Sequence, residues 1–389
     1  MIYLDSASTT QIDPDVLDAM MPYLKDEYGN PGTLYGLGRR AREAVENARV
    51  QVANMIGAEP DQVIFTSGGT ESNNTVWSGF EDIIPHGSAR IITSSIEHHS
   101  ILQRAINADL EDRAKVSFVE PDGIGRITAD AFNESTSMSG TSFASIMHTN
   151  NETGVENEIC RIGELCRENG ITFHTDCVQA AGTKKLDVNE LNCDFMSLSS
   201  HKIHGPNGVG ALYIRDRVIH PMICGGVNQE FGLRGGTENV AGIVGFGKAC
   251  EIVTDHIDEI VQKIDQMYEV FYWRLAEIMA SKGLSDRFHV NGVPFDGHGK
   301  KTINLRFDGI DGETLVFYLD HKGVCVSAGA ACTSGEQKPS HVLTAMGISE
   351  EDARNSIRVS FSRMNNLDEV KIATHIIADA VCTLSKGVM

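Results

Sequence analysis

Between about residue 60 and residue 215, short apolar runs alternate with segments in which apolar residues recur every three or four positions. The runs have the length of β-strands, and the segments between them have the spacing of amphipathic helices. The predicted strands are residues 63–66, 89–93, 145–148, 171–174, 194–198 and 210–214. Strands separated by helices need crossover connections and therefore form a mainly parallel sheet covered on both faces. The last two runs have no helix between them, so we expect an antiparallel hairpin there, and an α/β fold overall.

The sequence changes character near residue 244. Residues 247–281 read as one long helix with almost no helix-breaking residue, and the alternating apolar residues of 301–307 open an α+β section. We therefore expect two domains that divide inside the long helix. The large domain is predicted to span residues 14–257, and the smaller one residues 1–13 and 258–389.

The charge of the chain excludes some partners. The 389 residues contain 33 Lys and Arg against 53 Asp and Glu, a formal net charge of −20. A body this acidic repels nucleic-acid phosphates and anionic lipids, so we expect neither direct nucleic-acid binding nor membrane association. We find no apolar stretch long enough to span a bilayer and no secretory leader. Nine Cys without close CxxC pairs indicate a reducing, cytoplasmic location and no zinc site.

Polar residues follow the predicted strands, at the edge where open α/β sheets carry their chemistry. Gly68, Gly69 and Thr70 follow the first strand. Two glycines, a hydroxyl and free N–H groups at a helix start can hold an anion, although Thr70 can equally be an ordinary helix cap. His98 and Asn151 follow two later strands. His98 can be a catalyst or a structural hydrogen-bonding residue, and Asn151 can belong to a simple turn.

An acid and a lysine complete this group. Asp176 closes one buried strand, and Lys202 follows the next. The acid can be a helix cap, whereas a lysine at the end of a central strand is either solvated or neutralised by a pKa shift or a covalent bond. Together with an anion cup and a flat His ring, these residues match what is needed to hold pyridoxal 5'-phosphate: a Schiff-base lysine, an acid for the pyridinium nitrogen and a phosphate site.

The chain resembles the cysteine desulfurases of the NifS/IscS type over essentially all of its length. Ten stretches in family order carry the resemblance: YLDSASTT, YGNPGTLYGLG, FTSGGTESNN, EHHSIL, MHTNNETG, HTDCVQAAG, SLSSHKIHGPNGVGALY, GGVNQEFGLRGGTENV, VSAGAACTSG and SIRVSFSR. The resemblance implies the fold of the pyridoxal phosphate-dependent transferases (aspartate aminotransferase-like), with a mainly parallel large domain and a smaller α+β domain. It also implies conversion of L-cysteine to L-alanine.

The resemblance implies roles for residues around the cofactor. Lys202 would bond covalently to pyridoxal phosphate, and Asp176 would pair with its pyridinium nitrogen. Gln179 would hydrogen-bond the phenolic oxygen, and His98 would stack on the ring and act as acid and base. The phosphate would be held by Gly69, Thr70, Ser199 and His201, together with Thr237 from the other subunit of a homodimer.

The remaining implied roles concern the substrate. Asn151 and Arg358 would contact the substrate carboxylate, and Cys332 would accept the sulfur as a persulfide. Residues 326–335 around Cys332 are small and include two glycines, which indicates an exposed loop with a reactive thiol rather than a packed core. Cys325 is either a second thiol or a buried structural residue.

The persulfide is expected to pass to an acceptor protein for iron–sulfur cluster assembly, tRNA thiolation or DNA phosphorothioation, and the sequence leaves these pathways open. Three residues depart from the family pattern: Ser200 replaces a usual Gly, Tyr35 a common His and Phe231 a common Arg. Three other functions also stay open: a selenocysteine lyase or a transaminase on the same fold, and a docking subunit without activity.

Overall fold

The computed structural model describes residues 1–83, 89–136, 140–216, 229–292, 300–328 and 339–386. The helices in these residues are α1 Pro14–Lys25, α2 Gly36–Ile56, α3 Gly69–Ile83, α4 His99–Leu110, α5 Ala129–Thr136, α6 Ile159–Glu168, α7 Val240–Ser281, α8 Gly312–His321, α9 His341–Ala345, α10 Glu350–Arg354 and α11 Leu367–Lys386. The strands are β1 Ile2–Tyr3, β2 Val63–Thr66, β3 Ala89–Ser94, β4 Ala114–Val119, β5 Phe143–Ser145, β6 Thr172–Asp176, β7 Phe195–Ser199, β8 Gly210–Ile214, β9 Phe288–Asn291, β10 Thr302–Phe307, β11 Val324–Cys325, β12 Ser327–Ala328 and β13 Ser356–Ser360.

Seven strands form the larger sheet, in the order β2-β8-β7-β6-β5-β3-β4. Neighbouring strands from β7 to β4 are parallel, whereas β8 is antiparallel to both β7 and β2. The predicted mainly parallel sheet and the predicted hairpin of the last two strands are therefore confirmed. Because β2 and β7 both run opposite to β8, β2 ends at the same edge of the sheet as the parallel strands.

Helices cover both faces of this sheet because successive side chains of each strand point in opposite directions. In β2, Val63 and Phe65 belong to one apolar core, and Ile64 belongs to the core on the other face. The second core includes Trp77 of α3 and Ile101 of α4, both buried. The sheet is thereby held rigidly, which fixes the positions of its strand ends.

A second sheet is formed by four antiparallel strands in the order β12-β13-β10-β9. Its apolar core extends from Ile260 of α7 to Val381 of α11 and also includes Leu4. The core of the larger sheet includes Ile257, one turn earlier in α7. The limits 14–257 for one domain, and 1–13 with 258–389 for the other, remain a proposal.

The N-terminal segment lies between the two sheets. β1 pairs with β11 in parallel, and Asp5 forms an isolated bridge with Ser360 of β13. Further along, Thr10 donates from its backbone N–H to the carbonyl of His201, which follows β7. Residues 5–10 therefore contact both parts of the molecule at the edge where the strands of the larger sheet end.

Four of the six predicted strands have limits that differ from those of the structure, and the difference is largest for residues 145–148. The run at 145–148 is a strand only over Phe143–Ser145, because Ile146 and Met147 are buried in a connection that follows the strand. The prediction also missed β4, an edge strand whose middle residues are partly exposed. None of the helices formed by the described residues has the length and apolarity that a bilayer crossing requires.

Candidate active site

Lys202 lies directly after β7, in a short 3-10 turn over Ser200–Lys202. Its Nζ donates to the backbone carbonyls of Ala7 at 2.6 Å and Ser8 at 2.7 Å. Burial lowers the pKa of Lys202 to about 8, with a further contribution from a neighbouring arginine, although nearby carboxylates act in the opposite direction. The amine is therefore held in a desolvated position by two carbonyls and loses its proton more readily than an ordinary lysine.

Asp176 is the last residue of β6 and is only 5% exposed. Its Oδ1 accepts from the N–H of Val178 at 2.9 Å, and its Oδ2 accepts from Nδ2 of Asn73 at 2.7 Å. These donors offset the cost of burying a carboxylate. Asn73 was not predicted as a site residue, although it stands in the FTSGGTESNN stretch three residues after Thr70.

His98 caps α4, and its Nδ1 lies 2.8 Å from the hydroxyl of Ser100. Although His98 is exposed, desolvation by the surrounding protein lowers its pKa, as does the charge of Lys202, while Asp176 acts in the opposite direction. The three predicted residues His98, Asp176 and Lys202 therefore share one electrostatic environment. A neutral imidazole in this place can accept a proton.

The residues predicted to hold the phosphate lie where β2 is followed by α3. Gly68 has φ +150°, and a methyl group placed on it would lie 3.8 Å from the hydroxyl of Ser199. A methyl group on Gly69 would lie only 2.7 Å from a side-chain carbon of Val178. Thr70 stands exposed in the first turn of α3, whose free N–H groups favour an anion. Gly69, Thr70 and Ser199 therefore border the same cleft.

His201 lies beside this turn. Its Nδ1 lies 3.1 Å from the hydroxyl of Thr9, and burial lowers its pKa to about 4, assisted by Lys202 and Lys301. Lys301 was also missed from the sequence: it is 6% exposed, and its Nζ lies 3.4 Å from the carbonyl oxygen of Lys202. Burial, with the charges of Lys202 and Arg358, lowers the pKa of Lys301 to about 7. The sequence shows only a lysine before a strand, so its burial had no visible signal.

Arg358 and Asn151, predicted to contact the substrate carboxylate, are in direct contact. Arg358 lies on β13 and donates from Nη1 to the carbonyl of Asn151 at 3.0 Å. Its Nη2 donates to Asp5 at 2.9 Å and to the hydroxyl of Ser8 at 2.8 Å. Because Ser8 also binds Lys202 through its carbonyl, the guanidinium and the amine are fixed to the same short segment.

Three predicted positions lie elsewhere or outside the described part of the chain. Thr237 lines a cavity together with Thr66 and Ser67, the neighbours of the glycine cup. Cys332 lies outside the described residues. Cys325 is half-buried on β11, and burial raises its pKa, as do nearby carboxylates. Among the residues that the structure describes, no cluster of His, Cys, Asp or Glu could hold a metal ion.

The residues present fit pyridoxal phosphate. Beside Asp176, the buried amide oxygens of Asn73 and Gln179 accept no hydrogen bond from the described residues, while Nε2 of Gln179 donates to the carbonyl of Ala7 at 2.9 Å. Unsatisfied buried polar atoms are rare in proteins and indicate a missing polar partner. The amine of Lys202 donates to the same carbonyl of Ala7, so these amide groups lie in the same cleft as groups of the types that hold this cofactor.

Comparisons with known proteins agree over the whole chain. The model of the family described as aminotransferase class-V matches residues 2–372. The cysteine desulfurase IscS of Methanosarcina thermophila is 39% identical over 382 residues, which cover 98% of this chain and 92% of that protein.

Solved structures of similar proteins also match this chain over most of its length. A NifS-like protein superposes with a TM-score of 0.89 at 30% identity, covering 98% of this chain and 100% of the other. A structure described as SspA in complex with cysteine superposes with a TM-score of 0.79 at 32% identity, covering 93% and 99% of the two chains. The predicted resemblance, fold and cofactor are confirmed by these matches. The chain belongs to the class-V aminotransferase family and, within it, to the pyridoxal phosphate-dependent cysteine desulfurases.

Proposed function

We propose that the protein removes sulfur from L-cysteine, releases L-alanine and transfers the sulfur to Cys332. The observation that carries this proposal is the desolvated amine of Lys202, held by the carbonyls of Ala7 and Ser8 in the same cleft as the buried carboxylate of Asp176. Bound pyridoxal phosphate would supply an electron-withdrawing ring that stabilises negative charge at the substrate Cα.

Each part of the cleft has a task in this proposal. Asp176, fixed by Asn73 and Val178, offers its charge to the pyridinium nitrogen. Gln179 would hydrogen-bond the phenolic oxygen, and His98 would stack on the ring. The phosphate would be held by Gly69, Thr70, Ser199 and His201, with Thr237 of a second subunit. These assignments are those that the resemblance to the cysteine desulfurases implies, and the hydrogen bonds of Asp176 to Asn73 and Val178 support the first of them.

Proton transfer depends on Lys202. Because its pKa is about 8 rather than the ordinary 10.5, a useful fraction of the amine is neutral near physiological pH. A neutral amine can remove the proton from the substrate Cα, and His98, whose pKa is lowered by desolvation, can hold or return a proton. Asn151 and Arg358 would orient the substrate carboxylate during this step.

The transfer of sulfur from L-cysteine to Cys332 needs no external oxidant. The thiolate of Cys332 attacks the sulfur of L-cysteine, so that an S–S bond forms and the Cβ–S bond breaks. The electron pair of the broken bond stays with the substrate Cβ, which takes up a proton and becomes the methyl group of L-alanine. The enzyme is left with a persulfide on Cys332.

Replacement of Cys332 tests this proposal. Cys332→Ser should form no persulfide and produce no sulfide, while its cofactor spectrum still responds to L-cysteine. Cys325→Ser is the matched control, because it removes a half-buried thiol seven positions away, and it should stay active. Sulfide production by Cys332→Ser at the wild-type rate would contradict the assignment and would favour a lyase that breaks the Cβ–S bond without a protein thiol.

The protein is further proposed to be a cytoplasmic homodimer that passes sulfur to an acceptor protein. The resemblance to the family assigns Thr237 to the cofactor phosphate of the other subunit, and within its own chain Thr237 lines a cavity with Thr66 and Ser67. Seven cysteines of the described residues are free thiols, which suits a reducing compartment. An active monomer in analytical ultracentrifugation would contradict the dimer.

The acceptor should carry a basic docking face, because the enzyme has a formal net charge of −20. We expect no direct binding of nucleic acid and no association with membranes. Iron–sulfur cluster assembly, tRNA thiolation and DNA phosphorothioation all remain candidate pathways. Transfer of labelled sulfur from loaded enzyme to candidate acceptors separates them, and release of all label as free sulfide with every acceptor would contradict a protein relay.

A further inference from the structure

Two carboxylates connect the substrate-binding residues to the two flanks of the segment that carries Cys332. The first is Asp5, whose Oδ1 accepts from Nη2 of Arg358 at 2.9 Å. Its Oδ2 accepts from the hydroxyl of Ser327 at 3.0 Å. Ser327 lies on β12, the last strand before residues 329–338. One carboxylate therefore joins the guanidinium to the upstream flank of that segment.

The second carboxylate is Glu152, which is only 6% exposed. Its Oε2 accepts a hydrogen bond from the hydroxyl of Ser340, the residue that caps α9. The Ser340 oxygen itself accepts from the N–H of Leu343 at 3.1 Å, so its single proton is directed to Glu152. Ser340 is 2% exposed and follows residues 329–338. The downstream flank is thus joined to a buried acid.

The backbone around Glu152 is fixed from both sides. Oδ1 of Asn150 accepts from the N–H of Glu152 at 2.8 Å, and Nδ2 of Asn304 donates to the carbonyl of Glu152 at 3.3 Å. The preceding carbonyl, that of Asn151, accepts from Arg358. A displacement of Glu152 would therefore also displace Asn151, the predicted partner of the substrate carboxylate.

We propose that Asp5 and Glu152 are positioning residues for sulfur transfer, which fix Ser327 and Ser340 to the groups that orient the substrate. This inference rests on the proposed role of Cys332. Burial of Glu152 and partial burial of Asp5 are costly, and a packed apolar contact would join the same elements without that cost. What the carboxylates add is directional bonding that holds Ser327 and Ser340 in one frame with the substrate-orienting groups. Misplacement of reacting groups by about 1 Å can cost about a hundredfold in rate.

The test measures single-turnover transfer of labelled sulfur from L-cysteine to Cys332 in the holoenzyme. Ser340→Ala removes the donor to Glu152 and also a helix cap. Ser349→Ala is the matched control, because Ser349 caps α10 through the N–H of Asp352 at 3.1 Å. We expect transfer about tenfold slower in Ser340→Ala and nearly unchanged in Ser349→Ala. The KM for L-cysteine and the spectral response to L-alanine should be unchanged in both.

A second pair of variants keeps the test independent of the cap. Glu152→Gln retains an oxygen that accepts the Ser340 proton and should restore nearly wild-type transfer, whereas Glu152→Met should be as slow as Ser340→Ala. The double variant Glu152→Met/Ser340→Ala should be no slower than either single variant, because both remove the same bond. On the other flank, Ser327→Ala should also slow transfer.

Several results would overturn the inference. Equal transfer rates in Ser340→Ala and Ser349→Ala, or in Glu152→Met and Glu152→Gln, would show that the carboxylate is only structural. A fall in L-alanine binding that matched the fall in sulfur transfer would also show that the carboxylate is only structural. Activity of Cys332→Ser, in contrast, would refute the proposed function itself, so the two failures are distinguishable.

Discussion

Replacement of Asn73 by Asp tests the electrostatics of the cofactor site with a change of one atom. Asn73 donates from Nδ2 to Oδ2 of Asp176 at 2.7 Å and to the hydroxyl of Ser100 at 2.9 Å. In Asn73→Asp the donor becomes a second acceptor at the same place. The two carboxylates would then be too close to hold two charges, and such pairs share one proton.

The size of the effect follows from the lost bond. A hydrogen bond to a charged group is worth about 1.5–3 kcal/mol, and more is lost when a buried acceptor is left without its donor. If the charge of Asp176 stabilises the transition state through the cofactor ring, this loss corresponds to a fall in kcat of about ten- to a hundredfold. Binding of L-cysteine through its carboxylate should change little.

The assay is sulfide production at saturating L-cysteine, with the visible absorption of the bound cofactor recorded on the same samples. Asn107→Asp is the matched control: Asn107 lies in α4, and its Oδ1 accepts from Nε2 of Gln103 at 3.0 Å, so a carboxylate there keeps its hydrogen bond. Wild-type kcat in Asn73→Asp, or equal losses in the two variants, would refute the reasoning.

Three further outcomes follow from the structure. Because the pKa of Lys202 is lowered to about 8, the rate at which the apoprotein binds pyridoxal phosphate should rise with pH and level off above pH 8. A rate that continued to rise toward pH 10.5 would contradict the lowered pKa. Gly69→Ala places a methyl group 2.7 Å from a neighbouring valine and should weaken cofactor binding in equilibrium dialysis, whereas Gly123→Ala, with nothing within 4 Å, should not. In the wild-type protein the buried carboxylate of Glu230 lies 2.7 Å from the guanidinium of Arg49. Arg49→Met removes this charged partner and should lower the free energy of unfolding, measured in urea, by about 3–5 kcal/mol. A loss below about 1 kcal/mol would show that the ion pair is dispensable.

The strands of the larger sheet were largely predictable, because burial on both faces makes them continuously apolar. Residues 63–66 and 210–214 were predicted with the limits that the structure has. The apolar run at 145–148 misled the prediction because Ile146 and Met147 are buried in a connection rather than in a strand. In the sequence, a buried connection and a buried strand show the same run of apolar residues.

The cleft was predictable where side chains stand directly at strand ends, as Asp176 and Lys202 do. It was not predictable where contacts join distant parts of the chain. Asp5 meets Arg358 across 353 positions, and Lys202 is held by backbone carbonyls, which leave no trace in residue type. Lys301 shows a third limit: the sequence gives its charge but not its burial.

The place of the N-terminal segment also affects how the enzyme matures during translation. The N–H of Ala7 donates to the hydroxyl of Ser360 at 2.8 Å, and the N–H of Ser360 donates to the carbonyl of Leu4 at 2.8 Å. Residues 4–7 are synthesised about 350 positions before Ser360, so their backbone groups stay without these partners until β13 has been made. Until residue 360 has emerged, the carbonyls of Ala7 and Ser8 are not fixed in place to hold the amine of Lys202, so a nascent chain can fold its large sheet before it can assemble its catalytic cleft.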